Sequence, residues 1–128
     1  MVLDTSAVVA ILRKEPERDA FAKLLADARD PLISAATLFE CSMVQAKLRH
    51  GLEDLDDFML ATGIRVAAVD IAQAHAARDA WLRYGKGNGS ARLNFGDCFS
   101  YALAKTTGRP LLFKGDDFAQ TDVVPATS

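Results

Sequence analysis

The sequence predicts an α/β protein: a three-layer α/β/α sandwich with a central, mainly parallel sheet of four or five strands. Three observations lead there. Short apolar runs recur at Val2-Leu3, Leu32-Ile33, Ile64 to Val69 and Leu111-Leu112-Phe113, each too short for a helix and suited to a buried strand. Between them lie longer stretches whose apolar residues fall three and four apart, the period of an amphipathic helix. Strands alternating with helices require crossover connections, which make neighbouring strands parallel and cover both faces of the sheet.

The first run opens the chain. Met1-Val2-Leu3 leads straight into Asp4 and then Thr5-Ser6, leaving no room ahead of it for a targeting sequence. It reads as an interior strand that delivers its acid to the carboxyl edge of the sheet, where ligands bind in open α/β folds. Ser6 to Leu12 reads as a short helix with Ser6 as its cap, and Glu15-Pro16-Glu17 as a break and a new helix start. Phe21, Leu24, Leu25 and Ala28 place an amphipathic helix from Arg18, with Pro31 ending it. Leu32-Ile33-Ser34 is the second strand. Ala35 to His50 reads as one long helix closed by Gly51 in the left-handed conformation, with His50 near its carboxyl end.

Leu52, Leu55, Phe58, Met59 and Leu60 mark the next helix, with Glu53, Asp54, Asp56 and Asp57 on a solvated face and Gly63 beyond its end. Ile64 to Val69 is the third strand. Asp70 is a good cap for a helix to about Tyr84, in which His75 and Trp81 are packing or surface residues. Gly85 to Arg92 is a flexible loop without the glycine order of a nucleotide-binding motif. Asn94 or Phe95 begins a helix to about Thr107, stopped by Gly108. Arg109-Pro110 turns the chain into the fourth strand, and Val123-Val124 is expected as a short edge strand. No repeat or linker appears, so residues 1–128 are expected to form a single domain.

Composition narrows the function. Half the residues are hydrophobic and a quarter charged, as in ordinary globular proteins. The apolar runs are too short for a membrane span, and no secretory signal opens the chain; a cytoplasmic protein is expected. Cys41 and Cys98 lack metal-site or disulfide spacing and read as buried free thiols. With 15 basic against 17 acidic side chains the net charge is −2, so any nucleic-acid role must rest on a local patch or a bound metal.

Four acidic positions stand out by their place. Asp4 ends the first strand, Glu40 lies inside the apolar helix after the second, Asp97 falls in the first turn of the helix after the glycine loop, and Asp116 or Asp117 follows the fourth strand. Parallel topology puts all four at one rim. Carboxylates gathered there raise each other's pKa and need a cation, and oxygen-only ligands suit Mg2+ or Mn2+. Such an ion activates water and stabilises the charge that builds on a phosphate under attack. Read singly, Asp4 and Asp97 are also good helix caps and Asp116-Asp117 a turn.

Four segments in order, Val2-Leu3-Asp4-Thr5-Ser6-Ala7, Ile33 through Glu40, Leu93-Asn94-Phe95-Gly96-Asp97-Cys98 and Leu111 through Phe118 with Thr121-Asp122 after it, give the chain a family likeness. It resembles the PIN-domain ribonucleases, and within them the VapC toxins of bacterial type II toxin–antitoxin pairs, over nearly its whole length. The resemblance implies a PIN-like fold and a Mg2+-dependent endoribonuclease, with Mn2+ as a substitute ion. It also implies that Asp4, Glu40 and Asp97 bind the metal, Asp4 and Asp97 directly, with a fourth acid at Asp117 or, alternatively, Asp116. Ser6 would orient the acids. A VapB-type antitoxin, a homodimer and cellular RNA, often transfer RNA, are the implied partners. Charge and position, not a family motif, suggest Lys86, Arg92 and Lys114 as contacts to RNA phosphates.

Other readings meet obstacles in the residues. A haloacid-dehalogenase phosphatase needs a second Asp two residues after the first, where this chain has Ser6. A phosphoacceptor receiver domain needs a paired acid at the first strand, and Asp4 stands alone. A non-catalytic antitoxin-binding module would have no need to retain all four acids.

Overall fold

The computed structural model describes residues 1–127. Its elements run β1 (Val2–Leu3), α1 (Thr5–Leu12), α2 (Arg18–Asp27), β2 (Leu32–Ser34), α3 (Ala35–Gln45), α4 (Gly51–Thr62), β3 (Arg65–Ala67), α5 (Ile71–Tyr84), α6 (Phe95–Thr107) and β4 (Leu111–Leu112). The four strands form one sheet in the order β3-β2-β1-β4, and every pairing is parallel, with Val2 opposite both Leu32 and Leu111.

Successive strand residues point to opposite faces, and the core follows that alternation. Val2, Leu32 and Leu111 pack with α5, α6, Phe118 and Val123. Leu3 and Ile33 pack on the other face with Val8, Leu25, Cys41 and Leu55 from α1 to α4. Val2 and Leu3 are fully buried, as an interior strand covered on both faces must be, and each such side chain contributes about 1.5–3 kcal/mol relative to exposure. This is the expected three-layer sandwich. Among the described residues no helix is long and apolar enough to cross a membrane.

Several local expectations are corrected. The cap of α1 is Asp4, whose side chain accepts from the Ser6 N–H; Ser6 lies inside the helix. Helix α2 ends at Asp27, before Pro31, and Asp30 beyond it takes a positive φ, held by ion pairs to Arg65 and Arg109. The helix expected to reach His50 ends at Gln45, and Gly51 opens α4 instead of closing α3. The left-handed residue is His50, with φ of 60°, and it stands at the start of α4 facing Glu53. Gly51 is required for another reason: a Cβ there would collide with the Gln45 carbonyl oxygen.

Val123-Val124 does not form a strand. Leu111 N–H donates to the Val124 carbonyl and Ala126 N–H to the Leu111 carbonyl, both at 2.8 Å, giving an isolated bridge at Pro125. Proline has no N–H with which to extend a ladder. The third strand covers only Arg65–Ala67 of the expected Ile64 to Val69, and the fourth stops at Leu112. Asp70 accepts from the Gln73 N–H at 2.9 Å, Gly63 and Gly108 end their helices in the left-handed conformation, and both cysteines are buried and free, as expected.

Candidate active site

Each acid reaches the carboxyl rim by a distinct local device. Asp4 leaves β1 with extended backbone and turns the chain into α1, so its side chain is the first group past the strand tip. It is 3% exposed. Its Oδ2 accepts from Ser6 Oγ at 2.6 Å and from the Ser6 N–H at 3.1 Å, and its Oδ1 accepts from Ser100 Oγ at 2.7 Å. Ser6 Oγ itself accepts from the Lys114 N–H at 3.0 Å, which ties the end of β4 to the end of β1.

Glu40 sits in the second turn of α3, half-buried, and accepts from Thr5 Oγ1. Its carboxylate rests on the backbone of Gly96, where any Cβ would strike it. Asp97 is the third residue of α6 and closes a reciprocal capping box: its N–H donates to Asn94 Oδ1 at 2.9 Å, and its Oδ2 accepts from the Asn94 N–H at 3.1 Å. Burial pushes the Asp97 pKa up to about 7, against the donating Asn94 N–H; the charges of Asp4, Asp117 and Glu40 push the same way.

Asp4, Thr5, Ser6, Glu40, Asn94, Asp97, Lys114 and Asp117 line one open pocket of about 300 Å³. Both candidate acids after β4 are exposed, but Asp117 lines this pocket and Asp116 does not. The turn that does this begins at Gly115, whose φ is 95°, and is anchored by Phe118, buried against Phe113 with ring centroids 5.1 Å apart.

The basic residues do not converge with the acids. Lys114 lines the pocket, but its Nζ is held 3.0 Å from Glu15 and 3.2 Å from Glu17. Lys86 borders a separate apolar groove of about 650 Å³ between α5 and α6, with Trp81, Phe95 and Phe99. Arg92 is exposed and lines neither. Asp122 serves the fold: Tyr101 Oη donates to it and Lys105 pairs with it at 3.2 Å.

Sequence reasoning missed Thr5, Gly96, Ser100 and the Thr37 hydroxyl 3.2 Å behind Ser100. One signal was available: Ser100 lies three residues after Asp97 and therefore on the same helix face. Burial pushes the Cys41 thiol, beside the acids, up to about 12.

The donor chemistry of the pocket fits a hard cation: four carboxylates, no sulfur or imidazole, and its lysine turned away. Coordination is not preformed. Among the described residues no group of three or more His, Cys, Asp or Glu stands close enough to hold an ion. Asp4, Glu40 and Asp97 are each turned to a local donor.

Parallel strands with a polar site beyond their carboxyl tips define an α/β protein of the open-sheet class. The chain belongs to the PIN domain family, which matches residues 1–124. It is 47% identical over 125 residues to a Ribonuclease VapC of Mycolicibacterium smegmatis, covering 96% of this chain and 97% of the relative. Solved structures agree in fold. VapC20 of Mycobacterium tuberculosis, a toxin that cleaves the sarcin-ricin loop, superposes with a TM-score of 0.78 at 18% identity, covering 99% of this chain and 98% of that one. A chain of VapBC2 from Rickettsia felis, solved bound to a DNA fragment from their promoter, gives 0.76 at 16% identity over 97% and 94%.

Proposed function

We propose that this chain is a VapC-type toxin: an endoribonuclease that hydrolyses RNA phosphodiester bonds with the help of Mg2+, for which Mn2+ can substitute. The observation that carries the reading is the shared pocket of Asp4, Glu40, Asp97 and Asp117, in a chain close in sequence to a named VapC ribonuclease. Residues 1–128 form one PIN domain in this reading, acting in the cytoplasm.

Asp4 and Asp97 would hold the ion directly, with Glu40 and Asp117 completing its surroundings. When bound, the ion supplies Lewis acidity to a scissile phosphate and lowers the pKa of attacking water. The protein's own part is to present charge in fixed places. Ser6 and Ser100 fix Asp4, Thr5 fixes Glu40, and the first turn of α6 fixes Asp97. Burial pushes the Asp97 carboxyl up to about 7, so a bound cation would take the place of its proton.

A VapB-type antitoxin is the proposed inhibitor, and a homodimer the proposed form. Large apolar side chains left in solvent beside the acids in sequence support a protein partner: Phe95 is 80% exposed and Phe39 65%. Transfer RNA is among the proposed substrates.

The test is cleavage of purified cellular RNA, transfer RNA included, by the purified chain. Cleavage is expected with Mg2+ or Mn2+, to stop with EDTA, and to be lost in Asp4→Asn and Asp97→Asn proteins that still fold. Undiminished cleavage under EDTA would refute the metal mechanism. A folded chain that binds its antitoxin but cuts no RNA would be a binding module instead.

A further inference from the structure

Two buried hydroxyl groups, Ser100 and Thr37, lie behind the acidic pocket and connect to Asp4. Ser100 is fully buried and Thr37 1% exposed, one on α6 and one on α3. A buried hydroxyl is costly unless bonded, and these two are bonded to each other at 3.2 Å and onward to Asp4 at 2.7 Å.

The direction of this chain follows from valence. An ionised carboxylate only accepts, and a serine hydroxyl has one proton. Ser100 therefore donates to Asp4 Oδ1, and its oxygen is left to accept from Thr37. A second chain reaches the other oxygen: Lys114 N–H donates to Ser6 Oγ, which donates to Asp4 Oδ2 beside the Ser6 N–H. A carboxylate has about four lone-pair positions on its two oxygens. Two are taken on Oδ2 and one on Oδ1.

We propose that Ser100, oriented by Thr37, is a positioning residue that locks the Asp4 carboxylate and leaves it a single free lone pair, on Oδ1, with which to hold a cation. The proposal rests on the reading of the pocket as a cation site. It makes Asp4 a one-oxygen ligand of fixed direction. Without Ser100 the carboxylate loses the only tether on Oδ1 among the described residues and can turn about its side-chain bonds.

Two measurements test it together: Mn2+ affinity by calorimetry, and the side-chain carboxyl resonance of Asp4 in ¹³C-labelled, metal-free protein. Ser100→Ala should weaken Mn2+ binding about 10-fold or more, the usual size for loss of a group orienting a ligand, and should shift the Asp4 resonance. Thr37→Val should shift it less and weaken binding by a smaller factor; Thr37→Ser, which keeps the hydroxyl, should match the parent protein in both. In cleavage assays the loss should fall on kcat, with KM for RNA unchanged.

A Ser100→Ala protein with parental Mn2+ affinity and an unmoved Asp4 resonance, whatever its thermal stability, would overturn the proposal. Should Ser100→Ala not fold, the Thr37 pair decides: identical behaviour of Val and Ser at that position also overturns it. If the parent protein binds no Mn2+, the metal reading fails. The resonance then still decides whether the hydroxyl chain fixes Asp4.

Discussion

Glu40 rests its carboxylate directly on the backbone of Gly96, one residue before Asp97. The contact joins α3 to the first turn of α6 and sets how near the two acids come. A methyl group at position 96 cannot share that space, so Gly96→Ala must push the Glu40 carboxylate aside. Alanine is otherwise the better helix former, by about 1 kcal/mol, and φ at this position is not in the left-handed region. The variant is therefore expected to keep its stability within about 1 kcal/mol while losing about 100-fold in cleavage rate, the scale of a misplaced catalytic group. Denaturation and single-turnover cleavage on the same preparation check both halves.

Thr5 Oγ1 is the donor that orients Glu40 from the other side. Thr5→Val preserves shape and removes the hydroxyl, leaving a half-buried carboxylate oxygen without its partner. The expected result is a loss of about 1–2 kcal/mol in stability and about 10-fold in cleavage rate. Thr5→Ser should restore both. Equal rates for the two variants would show that Glu40 is held by its packing on Gly96 alone.

Three of the acids are legible because they follow a strand tip or open a helix, places that sequence patterning locates well, and Glu40 because it interrupts an otherwise apolar helix. That logic places Asp4, Glu40, Asp97 and one of Asp116 or Asp117 at one rim, and Asp4, Glu40, Asp97 and Asp117 line one pocket. The hydroxyls were not legible, because Ser100 and Thr37 look like ordinary small helix residues until the fold brings Ser100, on α6, to Asp4 at the end of β1. The choice between Asp116 and Asp117 depended on one turn angle at Gly115, which no periodicity encodes.

Gly51 was misread for a related reason. A glycine after a polar stretch is the usual mark of a left-handed helix end, and the adjacent His50 is the residue that adopts it. Gly51 is needed because the chain folds back so tightly after α3 that it lies on the Gln45 carbonyl. Gly51→Ala is therefore expected to cost about 1–3 kcal/mol, the range for forced overpacking, although Gly63→Ala, at an exposed left-handed position with nothing near its Cβ, should cost about 1–2 kcal/mol. Urea denaturation of both separates a steric clash from a conformational cost. A stabilised Gly51→Ala would contradict the first.

Asp97 sets the pH dependence. Burial, then the charges of Asp4, Asp117 and Glu40, disfavour its ionised form and push its carboxyl up from 3.8 to about 7 in the folded, metal-free protein. Between those two values the unfolded chain has lost the proton and the folded chain keeps it. Stability from this group therefore falls as pH rises through that window and levels off above about 7. In EDTA the protein should be more stable at pH 5 than at pH 8 by this contribution, and Asp97→Asn, which cannot ionise, should flatten the slope. Cation binding runs the other way: the proton competes for the same oxygen, so Mn2+ affinity should drop as pH falls below about 7. Denaturation at several pH values, with and without Mn2+, reads both trends, and a parent protein whose slope matches that of Asp97→Asn would place the titration elsewhere.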